Sequence, residues 1–145
     1  MSETIHPLSD FPAPELGAPV PYVVGSESGL GVLYFVADPK DRLASVRFEG
    51  IYAMRWGPPN DERRAELPLQ PEIPCEVRNS SWLAALLQEG TLDGTGAFPW
   101  QMALRHFRLP FHDSTLDVAA AGYKVQIRHS VPADELPALA RQLLE

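Results

Sequence analysis

The stretch His106-Phe-Arg-Leu-Pro-Phe-His-Asp-Ser-Thr-Leu-Asp-Val-Ala-Ala120 decides the fold class. Phe107, Leu109 and Phe111 alternate with His106, Arg108 and His112, and Leu116, Val118 and Ala120 alternate with polar neighbours. Period-two alternation marks strands with one buried face. Asp113-Ser114 between the two runs suits a tight turn. A two-residue turn pairs Phe111 with Leu116, Leu109 with Val118 and Phe107 with Ala120, which makes one face wholly apolar. The opposite face then carries His106, Arg108, His112, Thr115 and Asp117. It reads as a solvated face on which Arg108 and Asp117 are diagonal neighbours of opposite charge.

The pattern extends in both directions. Upstream, Val46 to Trp56 alternates, with Val46, Phe48, Tyr52, Met54 and Trp56 on one face and Gly50 marking a bulge or sharp bend. Val20–Val24 reads as a short strand, and Gly31–Ala37, apolar on both faces, as a central one. The Gly-rich link from Gly25 to Gly31 runs into a strand and lacks Lys, so it reads as a hairpin connection and not a phosphate loop. Asp38-Pro39-Lys40-Asp41 is a turn. Downstream, the apolar parity switches to Tyr123, Val125 and Ile127, which calls for a bulge or turn at Ala121-Gly122.

Helical spacing appears twice. Trp82, Leu83, Leu86 and Leu87 form one stripe, with Asn79, Ser80 or Ser81 as cap and Gly90 as stop. Leu136, Leu139, Ala140, Leu143 and Leu144 form the other, with Pro137 tolerable only in the first turn. The expected class is α+β, an antiparallel sheet of about five to seven strands packed against two helices near 80–89 and 133–144.

Proline sets the boundaries. Five prolines fall in residues 1–21 and five in 57–79. Residues 1–18 read as a proline-rich arm whose Ile5, Leu8, Phe11 and Leu16 favour docking on the domain. Residues 19–145 form a single α+β domain, interrupted by a long proline-rich loop at 57–79.

The chain has 145 residues, a formal net charge of −7 and one cysteine. One domain accounts for this length. The acidic balance argues against nucleic acid and anionic membranes as partners. A single cysteine excludes an internal disulfide framework. No apolar run reaches the roughly 20 residues of a membrane span, and the start lacks the marks of a signal peptide. The expected location is the cytoplasm.

Few residues suggest chemistry. His106 and His112 share a face near Asp113 and Asp117, but residues six apart on one strand lie ~20 Å apart, too far for one metal. Neither His129 nor His6 has a partner motif around it. Cys75 precedes Glu76, whose charge would raise a thiol pKa, so a structural cysteine is favoured. The sequence contains no hydrolase elbow, zincin or EF-hand motif. Trp56 and Trp100 flank loops, where aromatic residues can build a pocket or a contact surface.

The run Phe48-Glu-Gly-Ile-Tyr-Ala-Met-Arg-Trp56, the later Trp-Leu helix and His106–Asp113 running into Asp117-Val-Ala-Ala together resemble a broad set of small uncharacterised bacterial domains. Some of these look like immunity proteins of toxin systems. The resemblance covers about half of the chain and brings no catalytic residue. It implies a noncatalytic bacterial cytosolic domain that binds a partner.

Two expectations follow. In the first, an acidic surface binds another protein with a basic face, through Asp61, Glu62, Glu66, Arg108 and Asp117, with a homodimer as a variant. In the second, a small-molecule binder or minor enzyme has an aromatic-lined pocket under the 57–79 loop, formed by Trp56, Trp100 and His106. The pattern favours a noncatalytic domain, and no cofactor or metal is called for.

Overall fold

The computed structural model describes residues 2–15, 21–27, 29–38, 42–67, 73–90, 103–129 and 131–143. Two antiparallel sheets pack face to face. The first sheet joins five strands in the order β1 (Thr4–Pro7), β6 (Cys75–Arg78), β7 (Arg105–Pro110), β8 (Thr115–Ala120), β5 (Ala53–Gly57). The second joins β2 (Tyr22–Ser26), β3 (Gly29–Phe35), β4 (Leu43–Glu49) and β9 (Gly122–Arg128). Among the described residues three helices accompany them: α1 (Asp61–Glu66), α2 (Ser81–Gly90) and α3 (Leu136–Gln142). Among the described residues, no helix is long and apolar enough to cross a membrane.

The expected single sheet is therefore divided in two. The division falls where parity was expected to falter. The run from Val46 to Trp56 breaks at Gly50, which has φ +60, and the chain passes from β4 in one sheet to β5 in the other. Gly50 suits this left-handed backbone because it has no Cβ. The parity switch at Ala121 is the matching corner, from β8 to β9. Ala121 N–H reaches the carbonyls of Glu49 and Gly50 at 2.9 and 3.2 Å, so the two corners brace each other. A Cβ on Gly50 would lie 2.9 Å from that of Ala121.

Alternation then fills the interior. Leu30, Val32, Tyr34, Ala44, Val46 and Phe48 face Phe107, Leu109, Leu116, Val118 and Ala120 across the sandwich. The hairpin of β7 and β8 pairs Leu109 with Leu116, Phe107 with Val118 and Arg108 with Asp117. This register lies two residues from the one expected from a two-residue turn. Phe111 N–H donates to the Ser114 carbonyl (2.8 Å), so the connection is longer. A shift of two keeps every side chain on its face, which is why the apolar match could not distinguish the two registers.

The N-terminal arm is docked, as its apolar residues suggested. Thr4–Pro7 pairs with β6, and Phe11 is buried against Tyr34, Phe48 and Tyr123. The 57–79 segment is not one loop, since it contains α1 and β6. Asn60 caps α1 by accepting from Arg63 N–H (2.9 Å), and Cys75 and Val77 of β6 are buried on the outer face of the sheet, opposite Arg108 and His106. Residues 68–72, within the same segment, lie outside the described residues.

Both expected helices are present. Trp82, Leu83, Leu86 and Leu87 are the half-buried side of α2. A 3-10 turn at Ala133–Glu135 leads into α3, with Pro137 in its first turn. Leu136 and Ala140 of α3 pack on Leu33 and Leu43, the outer side of the second sheet.

Candidate functional site

Two places gather polar or aromatic side chains. The first lies on the outer face of the first sheet. Register sets Asp117 of β8 between Arg108 of β7 and Arg55 of β5. Arg108 Nε donates to Asp117 Oδ1 at 2.7 Å, Arg55 Nε to Oδ2 at 2.9 Å, and His106 Nε2 lies 2.6 Å from Oδ1. His106 Nδ1 lies 2.7 Å from Ser80 Oγ. Ser80 caps α2, accepting from Leu83 N–H at 3.0 Å. Trp82 sits edge-on to the His106 ring at 4.8 Å between centroids, and the Arg55 guanidinium lies 4.7 Å over Trp82.

The expectation of a solvated polar face is thereby corrected. His106, Arg108, Thr115 and Asp117 are all buried, with His106 1% exposed. Ser80 and Trp82 at the start of α2 lie against His106, while Arg64 and the Pro59 carbonyl take up Thr115. Arg108 and Asp117 are therefore buried, at 9% and 5% exposed. They are also directly opposed, not diagonal.

The order Ser80–His106–Asp117 invites comparison with a nucleophile relay. Its surroundings describe a structural network instead. Burial pushes the Asp117 carboxyl up, but the hydrogen bond from His106 and the charge and hydrogen bond of Arg108 outweigh it and hold the carboxyl at about 2. Two guanidinium groups already neutralise this carboxylate. The His106 side chain has no exposed surface, so a substrate cannot approach it without moving α2. The Ser80 hydroxyl is occupied by its ring partner and by the helix N-terminus.

Cys75 is likewise buried. Loss of solvent pushes its thiol up to about 12, which keeps it protonated and unreactive. Among the described residues, no group of three or more His, Cys, Asp or Glu side chains could hold a metal.

The second place is a pocket of about 280 Å³ at one end of the sandwich. Tyr34 and Phe35 of β3, Trp56 of β5 and Phe111 after β7 supply its aromatic wall. Glu15 of the arm and the loop residues His112, Asp113 and Ser114 supply its polar groups. Trp56 is 46% exposed, yet its indole N–H donates to Ser114 Oγ at 2.8 Å, which fixes the ring. Tyr34 O–H donates to the Pro12 carbonyl at 2.8 Å, tying the arm to the same wall.

The hairpin loop beside the pocket is held by α1. The buried Arg64 guanidinium donates to the carbonyls of Pro59 (3.1 Å), Ser114 (2.9 Å) and Phe111, and to Thr115 Oγ1 (3.0 Å). His112 Nδ1 lies 2.8 Å from Asp61 Oδ2, and Asp61 N–H donates to the His112 carbonyl at 2.9 Å. Thus α1 braces the wall of the pocket without lining it.

Of the expected pocket residues, Trp56 is present in the wall. His106 is elsewhere, sealed beneath α2, because β7 turns it to the outer face of the sheet. Trp100 lies outside the described residues. Of the expected acidic surface, Asp61 is engaged by His112, and Glu66 pairs with Arg63 at 2.8 Å. Glu62 is exposed. Tyr34, Phe111 and Ser114 escaped the sequence reading as pocket residues. The available signal was a tryptophan at a strand end with a Phe-His-Asp-Ser turn on its partner hairpin. No known family model matches the chain, and neither a curated protein nor a solved structure matches it.

Proposed function

We propose that the protein is a noncatalytic binding domain that takes a small apolar group into the aromatic pocket beside Trp56. The carrying observation is the pocket itself: four aromatic residues from three segments around about 280 Å³, with Trp56 held in place yet partly exposed. This volume is close to the lower end of ligand sites, roughly 300–1,000 Å³, and suits a molecule of two or three rings. Polar groups at Glu15 and residues 112–114 also line it, where they would orient the ligand. The sealed state of His106 supports a noncatalytic reading.

The test is a fluorescence titration with the neutral apolar probe N-phenyl-1-naphthylamine. Trp56→Ala should weaken binding about tenfold, in line with the value of an aromatic pair. Neutralising Glu62 and Glu66 together should leave it within a factor of about two, because exposed charges contribute little to a neutral ligand. Failure of the probe to bind, or an unchanged affinity in Trp56→Ala, would end this reading.

A second reading keeps the acidic surface as a contact for a basic protein, as an immunity-like domain would use it. It is supported by the net charge of −7 and by exposed Glu62 and Glu66. Against it, α1 also carries Arg63 and Arg64, so the segment has little net field. If a captured partner's on-rate ignores both salt and Glu62→Gln/Glu66→Gln, this surface is not the contact.

A further inference from the structure

The outer face of the second sheet carries a concave region separate from the aromatic pocket. Register pairs Leu43 with Arg128, Ser45 with Gln126 and Arg47 with Lys124, so these side chains share that face. α3 covers its β2–β3 side, around Leu33 and Leu43. Alongside, a groove of about 460 Å³ is lined by Arg47, Lys124, Arg128, Gln126, Ser45 and the helix residue Gln142, among others. We propose that this groove is a binding site for a soluble phosphate-bearing anion.

Charge makes the first argument. Three cationic side chains line one groove in a chain of net charge −7, and among the described residues no carboxylate lines it. Arg47 and Lys124 are directly opposed across the strands. Like charges in that position repel, and an anion between them removes the repulsion. Glu49 does not serve that purpose. It meets Lys124 at 3.1 Å, but both side chains are largely in water, at 48% and 77% exposed. Such a pair is weak and leaves the remaining lysine donors free to turn.

The second argument is independent of charge counting. Arg128 Nε is buried and has no hydrogen-bond partner among the described residues. The same guanidinium meets Gln126 Oε1 only at 3.5 Å, through Nη2. A buried donor left unpaired is costly and uncommon. Arg128 is among the lining residues, so an anion that draws its guanidinium toward the groove would satisfy this donor. A guanidinium presents a planar fork that fits two phosphate oxygens at once. Gln126, Gln142 and Ser45 add neutral donors around the rim. Three cations suit an anion carrying two or more charges, which favours phosphate over a lone carboxylate.

The probe is inorganic pyrophosphate, titrated calorimetrically into the full chain at low ionic strength. Binding is expected, with Arg47→Gln and Lys124→Gln each weakening it about tenfold, as loss of a charge-assisted hydrogen bond does. Both residues are exposed, so folding should be unaffected, which circular dichroism checks. Arg63→Gln, which removes an exposed arginine on α1, should leave the affinity unchanged. Absence of pyrophosphate binding overturns the site, and so does an equal loss in Arg63→Gln, which would mean diffuse attraction. Phosphatidylcholine vesicles doped with phosphatidic acid should leave the protein in the supernatant. Arg47-dependent pelleting with them would overturn the soluble ligand in favour of a lipid headgroup. None of these results bears on the aromatic pocket.

Discussion

The two sheets cover their outer faces by different chemistry. The second sheet is covered by α3 in the ordinary way, leucine on leucine, through Leu136 and Ala140 on Leu33 and Leu43. The first sheet has an ionic cluster there, with Asp117 held by Arg108, Arg55 and His106 beneath Ser80 and Trp82. An apolar cover is non-directional and tolerates sliding. An ionic cover holds only while every partner is in place, because a buried charge left alone is expensive. The contrast teaches that a polar strand face is not thereby a solvated one.

That contrast can be tested by substitution. Asp117→Ala should be the most damaging change, since it leaves Arg108 and His106 buried without their acceptor. Breaking a buried pair in this way costs about 3–5 kcal/mol, measured by urea unfolding. Leu136→Ala, on the apolar side, should cost about 2–4 kcal/mol by opening a cavity. If Asp117→Ala proved milder than Leu136→Ala, the ionic cover would be secondary to simple burial.

Acid should separate the two faces without mutation. The Asp117 carboxyl is at about 2 when folded against an ordinary value of 3.8. A depressed carboxylate contributes stability that is fully present above its unfolded pKa and is lost as pH falls through the folded one. The contribution, about 2 kcal/mol, should therefore disappear between about pH 4 and pH 2. Leu136→Ala should lose stability over that window in parallel with the wild type. Asp117→Asn should show a flatter profile there, and an unchanged slope would disprove the assignment.

The smallest expected effect sharpens the comparison on the side of α3. A Cβ on Gly31 would lie 2.8–2.9 Å from Leu143 Cδ1 and Cβ. Gly31→Ala should cost about 1–2 kcal/mol by crowding the helix end, read from the denaturation midpoint. Because an apolar cover can shift, shortening Leu143 in the same chain should restore most of the loss.

Much of this architecture was legible in the chain. The alternation through Phe107–Phe111 and Leu116–Ala120 identified the inner face, and the stripes at Trp82–Leu87 and Leu136–Leu143 identified two helices. Gly50 and Ala121-Gly122 were visible as interruptions. Their meaning as corners between two sheets was not, because a bulge, a bend and a crossover disturb parity in the same way. The hairpin register was ambiguous by two residues for the reason that period-two patterns repeat. α1 and β6 were concealed by the prolines around them, although Asn60 preceding Asp61-Glu62 is a helix start. Of the pocket, only Trp56 was anticipated.

Local periodicity by itself determined which residues turn inward from β4, β7 and β8, since alternating side chains point to opposite faces whatever the surroundings. It also determined where α2 and α3 run and that the arm would dock. Tertiary structure alone decided what lies against each face. Asp117 meets Arg55 from another strand, His106 is sealed by Ser80 and Trp82, and Tyr34, Trp56 and Phe111 converge from three segments. Such meetings depend on how distant parts of the chain close on one another, and no local pattern records that closure.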